Sequence, residues 1–229
     1  MLLTKVPSDA GLRATAGRIG RDRSGLALIE FALALPVLLT ISLTGIEVAN
    51  LAVTVLRVNQ LAMLGADNAA RVRGSMDEQD VNQVMIGIRF AGTSIKFGQQ
   101  GRVILSDLEA NGQTGSNAGY KITWQRCFGT KNAASQYGIE GKGATNGDLA
   151  TGVTVNGKTL TPVTNSALIL AEIRYTYRPL VASAFMKPLE LRSVQAFPVR
   201  ERAGQALTNT TNLSDSAQRK CDAAHLSST

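Results

Sequence analysis

From Leu26 to Ile46 the chain reads LALIEFALALPVLLTISLTGI, twenty-one residues carrying a single charge, Glu30. At 1.5 Å of rise per residue, a helix of that length covers about 30 Å, the thickness of a bilayer's hydrocarbon core. A carboxylate inside such a segment is costly, so intramembrane acids are rare and point first to function. Placed near the N-terminal end of the span, Glu30 reaches the headgroups by snorkelling or pairs with another protein. Pro36 removes a backbone donor and is expected to kink or loosen the helix, with Gly45 beside Thr44 as a second weak point.

Flanking charge sets the orientation. Lys5, Arg13, Arg18, Arg21 and Arg23 precede the span, whereas Arg57 alone falls in the twenty residues after it. The positive-inside rule then keeps the N-terminus in the cytoplasm and exports everything beyond about residue 47. A cleaved secretory signal is the competing reading. It calls for a shorter apolar core and a small-residue cleavage site, to which Val48-Ala49-Asn50 and Asn50-Leu51-Ala52 conform only loosely. With no second apolar stretch of comparable length, the chain reads as a single-pass membrane protein contacting the lipid bilayer.

The 229 residues suffice for that anchor plus one domain of ordinary size. The formal charge of +7 raises a nucleic-acid reading, but the positives are scattered and not interleaved with aromatics. Without residues 1–25, which hold five Lys/Arg and two Asp, the charge falls to +4, so no nucleic-acid partner is indicated. Cys127 and Cys221 lack metal-ligand spacing. A disulfide tying the tail to the body in an oxidising compartment and two free thiols both stay open.

Beyond Ile46 the helical pattern continues through Val48, Leu51, Val55, Val58, Ala62, Ala66 and Ala69. Gly65 weakens it without breaking it, and Gly74 is the expected C-cap. Ser75-Met76-Asp77-Glu78 reads as a capping box opening a second helix to about Phe90, with Val81, Val84, Met85 and Ile88 on one face and Gly92 as its end. Strands are expected at 101–108, 120–127, 152–160, 167–177 and 189–200, and Asn156-Gly157 suits a type I′ hairpin turn. Residues 128–150, rich in Gly, Ala, Asn and Thr, read as a surface insertion where partner contacts diverge. The expected organisation is a leader over 1–25, a transmembrane helix over 26–46 and an amphipathic extension over 47–74. An exported α+β domain over 75–203 and a polar, mobile tail over 204–229 complete it.

Gly25 followed by Leu26-Ala27-Leu28-Ile29-Glu30-Phe31 and an apolar helix resembles the prepilin processing site of type IV filament systems. The Arg-rich approach, Glu30-Phe31 and the run Ala32-Leu33-Ala34-Leu35-Pro36-Val37-Leu38-Leu39 are similar to TadE-like pilus-assembly proteins, minor pseudopilins of the Tad/Flp tight-adherence system; TadG-like and TadF-like relatives share the leader. The likeness is strongest over 21–73 and returns over 167–202. It implies a pilin-like layout in a bacterial inner membrane. It also implies cleavage between Gly25 and Leu26 by a prepilin peptidase, and assembly with other Tad pilins and an inner-membrane platform. Cleavage creates an α-amino cation at Leu26, and Glu30 lies one helical turn from it. In a filament, Glu30, with Phe31 beside it, would pair with the amine of an adjacent subunit, because a buried charge needs a partner.

Chemistry is sparse elsewhere. His225, the only histidine, falls in the polar tail. Gly141-Lys142-Gly143 and Gly147 do not match a phosphate loop, and Asn146-Gly147-Asp148 reads as a plain turn. Asp77, Glu78 and Asp80 suit a helix N-terminus. The expectation is a protein that is not an enzyme and takes no cofactor or metal. The alternatives are an uncleaved, membrane-anchored binding domain (an adhesin or envelope receptor) and a soluble enzyme released by signal peptidase.

Overall fold

The computed structural model describes residues 24–181 and 187–226, so most of the expected leader, Arg21 and Arg23 included, lies outside the described residues. Two units are distinguished, one ending at Val48 and one beginning at Ala49. The architecture is α+β, with a long apolar N-terminal helix and small, mostly antiparallel sheets.

Helix α1 covers Ser24–Ala70. It is long and apolar enough to cross a membrane, and its most apolar stretch buries nothing within the chain. Helix assignment runs through Pro36, the expected weak point. The Thr40 hydroxyl donates to the Pro36 carbonyl at 2.7 Å and Thr44 repeats the pattern onto Thr40, supplying local hydrogen bonds around the missing donor.

The second unit is a three-layer arrangement. A four-stranded antiparallel sheet runs in the order β3-β2-β6-β7, from β2 (Gly101–Ala110), β3 (Tyr120–Phe128), β6 (Leu168–Tyr177) and β7 (Leu189–Pro198). Residues of α1 from Val58 to Ala70 and helix α2 (Glu78–Ala91) cover one face. The other face packs on Tyr137 and Leu149 from the 128–150 segment and on the hairpin β4 (Val153–Val155)–β5 (Lys158–Leu160). Central strand β6 is therefore buried on both sides: Ile169, Ala171, Ile173 and Tyr175 face the helices, while Leu168 and Leu170 face the hairpin. Its near-continuous apolar run follows from that double burial.

Several expectations hold closely. The sheet strands fall where the apolar runs lie, α2 buries Val81, Val84, Met85 and Ile88 and is capped by Gly92, and Asn156 and Gly157 both adopt positive φ (50° and 80°) as a type I′ turn requires.

Others are corrected. α1 stops at Ala70, not at Gly74, because distant groups end it: the Arg202 guanidinium donates to the Ala69 carbonyl at 2.7 Å and the Arg200 amide to Ala70 at 3.4 Å. Gly74 instead opens a short strand β1 (Gly74–Asp77) at φ 78°. The capping box shifts accordingly. Asp77 is the N-cap, its side chain accepting from Gln79 while Asp80 accepts from the Asp77 amide. The expected mobile tail holds strand β8 (Arg202–Thr208), which pairs in parallel with β1. The 128–150 segment is no mere surface appendage, since Tyr137 and Leu149 enter the second core cluster.

Gly65 is a packing requirement. A Cβ there would stand 2.9 Å from Ile88 Cδ1, 3.6 Å from Leu105 Cδ2 and 3.7 Å from Ala171 Cβ, where α1, α2 and the sheet approach most closely. Gly65→Leu is expected to cost about 1–3 kcal/mol by overpacking. Gly65→Ala is expected to stay within about 1 kcal/mol of the parent, since the Ile88 terminal methyl can swing aside and alanine recovers helix propensity. Thermal melts of both variants check this, and equal melting temperatures for Leu and Ala would count against the close approach.

Candidate functional site

Gly25, Leu26, Glu30 and Phe31 all lie within α1 among the described residues. A Cβ on Gly25 would meet nothing within 4 Å, so packing inside the chain makes no demand for glycine there. Leu26 and Phe31 are 62% and 61% exposed. Glu30 follows Leu26 at i,i+4 and so shares its helix face. The arrangement offers an exposed Leu26 beside Gly25 and, one turn on, an exposed carboxylate with no ion pair among the described residues.

In the second unit, the polar groups at the start of α2 and the end of β3 form a connected clasp. Arg126 donates from Nε to both Glu78 oxygens at 2.9 and 3.1 Å, and from Nη2 to Glu78 Oε1 at 2.5 Å. Its Nη1 reaches Glu140 at 2.9 Å and the Gln125 carbonyl at 2.7 Å. Burial works to lower the Arg126 value, but hydrogen bonds and charge from Glu78 and Glu140 outweigh it and raise it. One buried guanidinium thus ties α2, β3 and the 128–150 segment together.

The next residue, Cys127, is disulfide-bonded to Cys221, with Cα atoms 4.9 Å apart. The tail lies along this edge of the sheet. The Cys127 amide donates to the Arg219 carbonyl at 2.6 Å, and Arg219 Nε donates to Asn82 Oδ1 at 2.9 Å. Upstream, Thr210 donates its amide to Asp77 at 2.7 Å. Burial opposes ionisation of Asp77, but hydrogen bonds from Gln79, Thr210 and Thr208 prevail and lower it to about 2. At the end of the tail, Asp222 bonds both the His225 ring, at 2.5 Å, and the His225 amide, and the ring also reaches the Asp215 carbonyl. These contacts raise His225 above its ordinary value, the Asp222 hydrogen bond most of all.

Two buried carboxyls complete the inventory. Asp107 is pushed up to about 9 by burial, reinforced by Glu109, against the pull of Arg202, whose guanidinium lies 3.9 Å away. Glu172 accepts from the Ser135 hydroxyl and the Gln136 amide, and burial raises it. Among the described residues no group of three His, Cys, Asp or Glu is placed to hold a metal. Asn146-Gly147-Asp148 is a turn in which the Asp148 amide donates to Asn146, and Gly141-Lys142 pairs with Ile122 on the β3 edge.

Sequence reasoning found Gly25, Leu26, Glu30 and Phe31, which share one helix end, and Cys127 with Cys221, which meet elsewhere. It missed the Arg126–Glu78–Glu140 clasp. The available signal was an arginine between Trp124-Gln125 and Cys127-Phe128 in a strand-like run, but its partner is 48 residues distant. Against known proteins, no family model matches the chain, and no curated protein or solved structure matches it either.

Proposed function

We propose that this chain is a minor pilin or pseudopilin of a Tad-type filament. In this reading it is anchored by α1 in a bacterial inner membrane, with its N-terminus cytoplasmic and its second unit periplasmic. A prepilin peptidase cleaves between Gly25 and Leu26, and Glu30 then neutralises the amine at Leu26 of a neighbouring subunit. The observation that carries the reading is Glu30 one turn from Leu26 on a helix whose most apolar stretch is not buried within its own chain. Support comes also from the α+β unit built on the second half of α1 and from the Cys127–Cys221 bond, which suits an exported, oxidising compartment. The partners in this reading are the peptidase, other Tad pilins and the inner-membrane platform. The role is structural, with no catalysis or cofactor.

Mass spectrometry of the chain purified from its host tests this. The expected mature N-terminus is Leu26, and an intact leader in a fully functional protein would sink the proposal in favour of an uncleaved anchored binding domain. Glu30→Ala is expected to be processed normally yet to lower incorporation into filaments about tenfold or more, the scale of stranding a buried amine. Normal incorporation would remove the pairing role.

A further inference from the structure

The two edges of the four-stranded sheet are treated differently. Along β3 the chain covers its own edge: the Ile122 amide donates to the Lys142 carbonyl at 3.0 Å and the Cys127 amide to the Arg219 carbonyl at 2.6 Å. Along β7 no further strand pairs on the outer side among the described residues. β7 is also long and regular, pairing with β6 from Leu189 to Pro198 without a bulge. A regular open edge of that length is a template for another strand unless something blunts it.

The direction of its free groups follows from the pairing. Just past β7, the Val199 amide donates to the Ala167 carbonyl at 2.9 Å, so by alternation the odd-numbered residues of β7 bond β6. The N–H and C=O groups of Glu190, Arg192, Val194 and Ala196 therefore point away from the sheet. Pro198, which has no N–H to offer, falls in the same outward set at the strand's end. The Val194 carbonyl there accepts from a side chain, Asn156 Nδ2 at 3.4 Å, and not from a strand. A groove of about 340 Å³ borders residues 192–195, lined by Asn59, Gln136, Thr154, Asn156, Arg192 and Gln195. Side-chain amides both donate and accept, which suits a peptide backbone.

Charge selects the occupant. Arg192 sits directly across from Arg174, a like-charge pair that destabilises a sheet. Glu190 is engaged by Lys131 at 3.3 Å and Arg174 at 3.5 Å, and Glu172, across from Val194, accepts from Ser135 and Gln136. Arg192 itself has no ion pair among the described residues. Lys131, Arg174 and Arg192 thus outnumber the acids along this edge. A second copy would bring the same excess of cations against it, so the edge fits an acidic strand from another protein.

We infer that the outer edge of β7 is a docking site for an extended acidic segment of a partner protein, added as an outer strand with a carboxylate against Arg192. The inference is independent of the membrane and pilus readings. The test uses the full chain in non-ionic detergent, titrated with three capped peptides: one of alternating threonine and glutamate, one with lysine in place of glutamate, and the glutamate peptide with every amide N-methylated. Saturable binding of the glutamate peptide is expected, about fivefold tighter than the lysine peptide, the scale of a part-exposed ion pair. N-methylation should weaken it roughly tenfold or more, because the backbone bonds are lost. Amide exchange locates the strand. Protection should rise at Arg192, Val194 and Ala196 and stay unchanged at Ser193 and Gln195, whose amides already face β6. Arg192→Gln should erase the charge preference and Arg192→Glu reverse it, with melting temperatures within about 2 °C of the parent showing that the variants fold. Protection that rises at both sets or at neither would overturn the inference. So would equal binding of the glutamate and lysine peptides, an unaltered preference in both variants, or an N-methylated peptide that binds as tightly as its parent. Protection of the outward set that grows with protein concentration in the absence of peptide would put a second copy on this edge in place of an acidic partner.

Discussion

Arg126→Met is expected to lower the stability of the second unit by about 3–5 kcal/mol, the cost of stranding one member of a buried ion pair. A domain of this size is stable by roughly 5–15 kcal/mol, so the loss is a large share of the total. The effect comes from the carboxylate left behind. Glu78 is 3% exposed and lies at the first position of α2, where Arg126 supplies three of its hydrogen bonds. Methionine fills most of the volume but donates nothing, so the carboxylate keeps its desolvation cost without compensation. Glu140, with its side chain 52% exposed, returns to water and contributes little. The check is a double variant. Glu78→Met/Arg126→Met removes both charges and is expected to recover most of the loss in urea melts, to within about 1–2 kcal/mol of the parent. If the double variant is as unstable as Arg126→Met, the damage lies in packing and the stranded-charge explanation is wrong.

The clasp also marks the limit of what the sequence reveals. Strands β2 and β6 were legible because each buries an apolar run, and α2 because its stripe repeats at helical spacing. The β1–β8 pair was not legible. Four residues pair in parallel with seven that read as polar linker, and apolar content across the contact is little more than Met76 and Leu207. The end of α1 was misjudged for a related reason: local signals favoured Gly74, while Arg200 and Arg202 end it from more than a hundred residues away. Gly65 was visible as a glycine, yet its need appears only once Ile88, Leu105 and Ala171 converge on it. By contrast, the pairing of Leu26 with Glu30 needs only the helix period, which is why the N-terminal site could be named from spacing alone.

Replacing both cysteines, as Cys127→Ala/Cys221→Ala, is expected to cost about 2–5 kcal/mol and to free the tail. The bond spans 94 residues, and loop closure of that length is worth on the order of 4–5 kcal/mol in the chain-entropy account. Once the disulfide is reduced, Arg219 still bonds Cys127 and Asn82 and Asp77 still bonds Thr208 and Thr210, and of these holds the Asp77 one varies with pH. Asp77 is lowered from 3.8 to about 2 by the bonds it accepts, Thr210 and Thr208 among them, so its hold is complete above 3.8 and lost as pH falls through about 2. His225 is raised above 6.5 by Asp222 and Asp215, both in the tail itself, so it steadies the tail's own 215–225 turn below 6.5 and loses that effect as pH rises through the folded-state value. Both groups lie close to solvent, so each effect is weak and screened by salt. In the reduced protein the tail should therefore stay docked above about pH 4 and loosen as pH falls toward about 2. Amide exchange reads this directly, because the Cys127 amide is bonded to Arg219 and the Thr210 amide to Asp77. Protection at Cys127, corrected for the intrinsic rate, should be flat with pH in the oxidised chain and should fall toward low pH in the reduced one. Protection that is flat in both would mean that the tail is held by the sheet edge itself rather than by the disulfide and the Asp77 clasp.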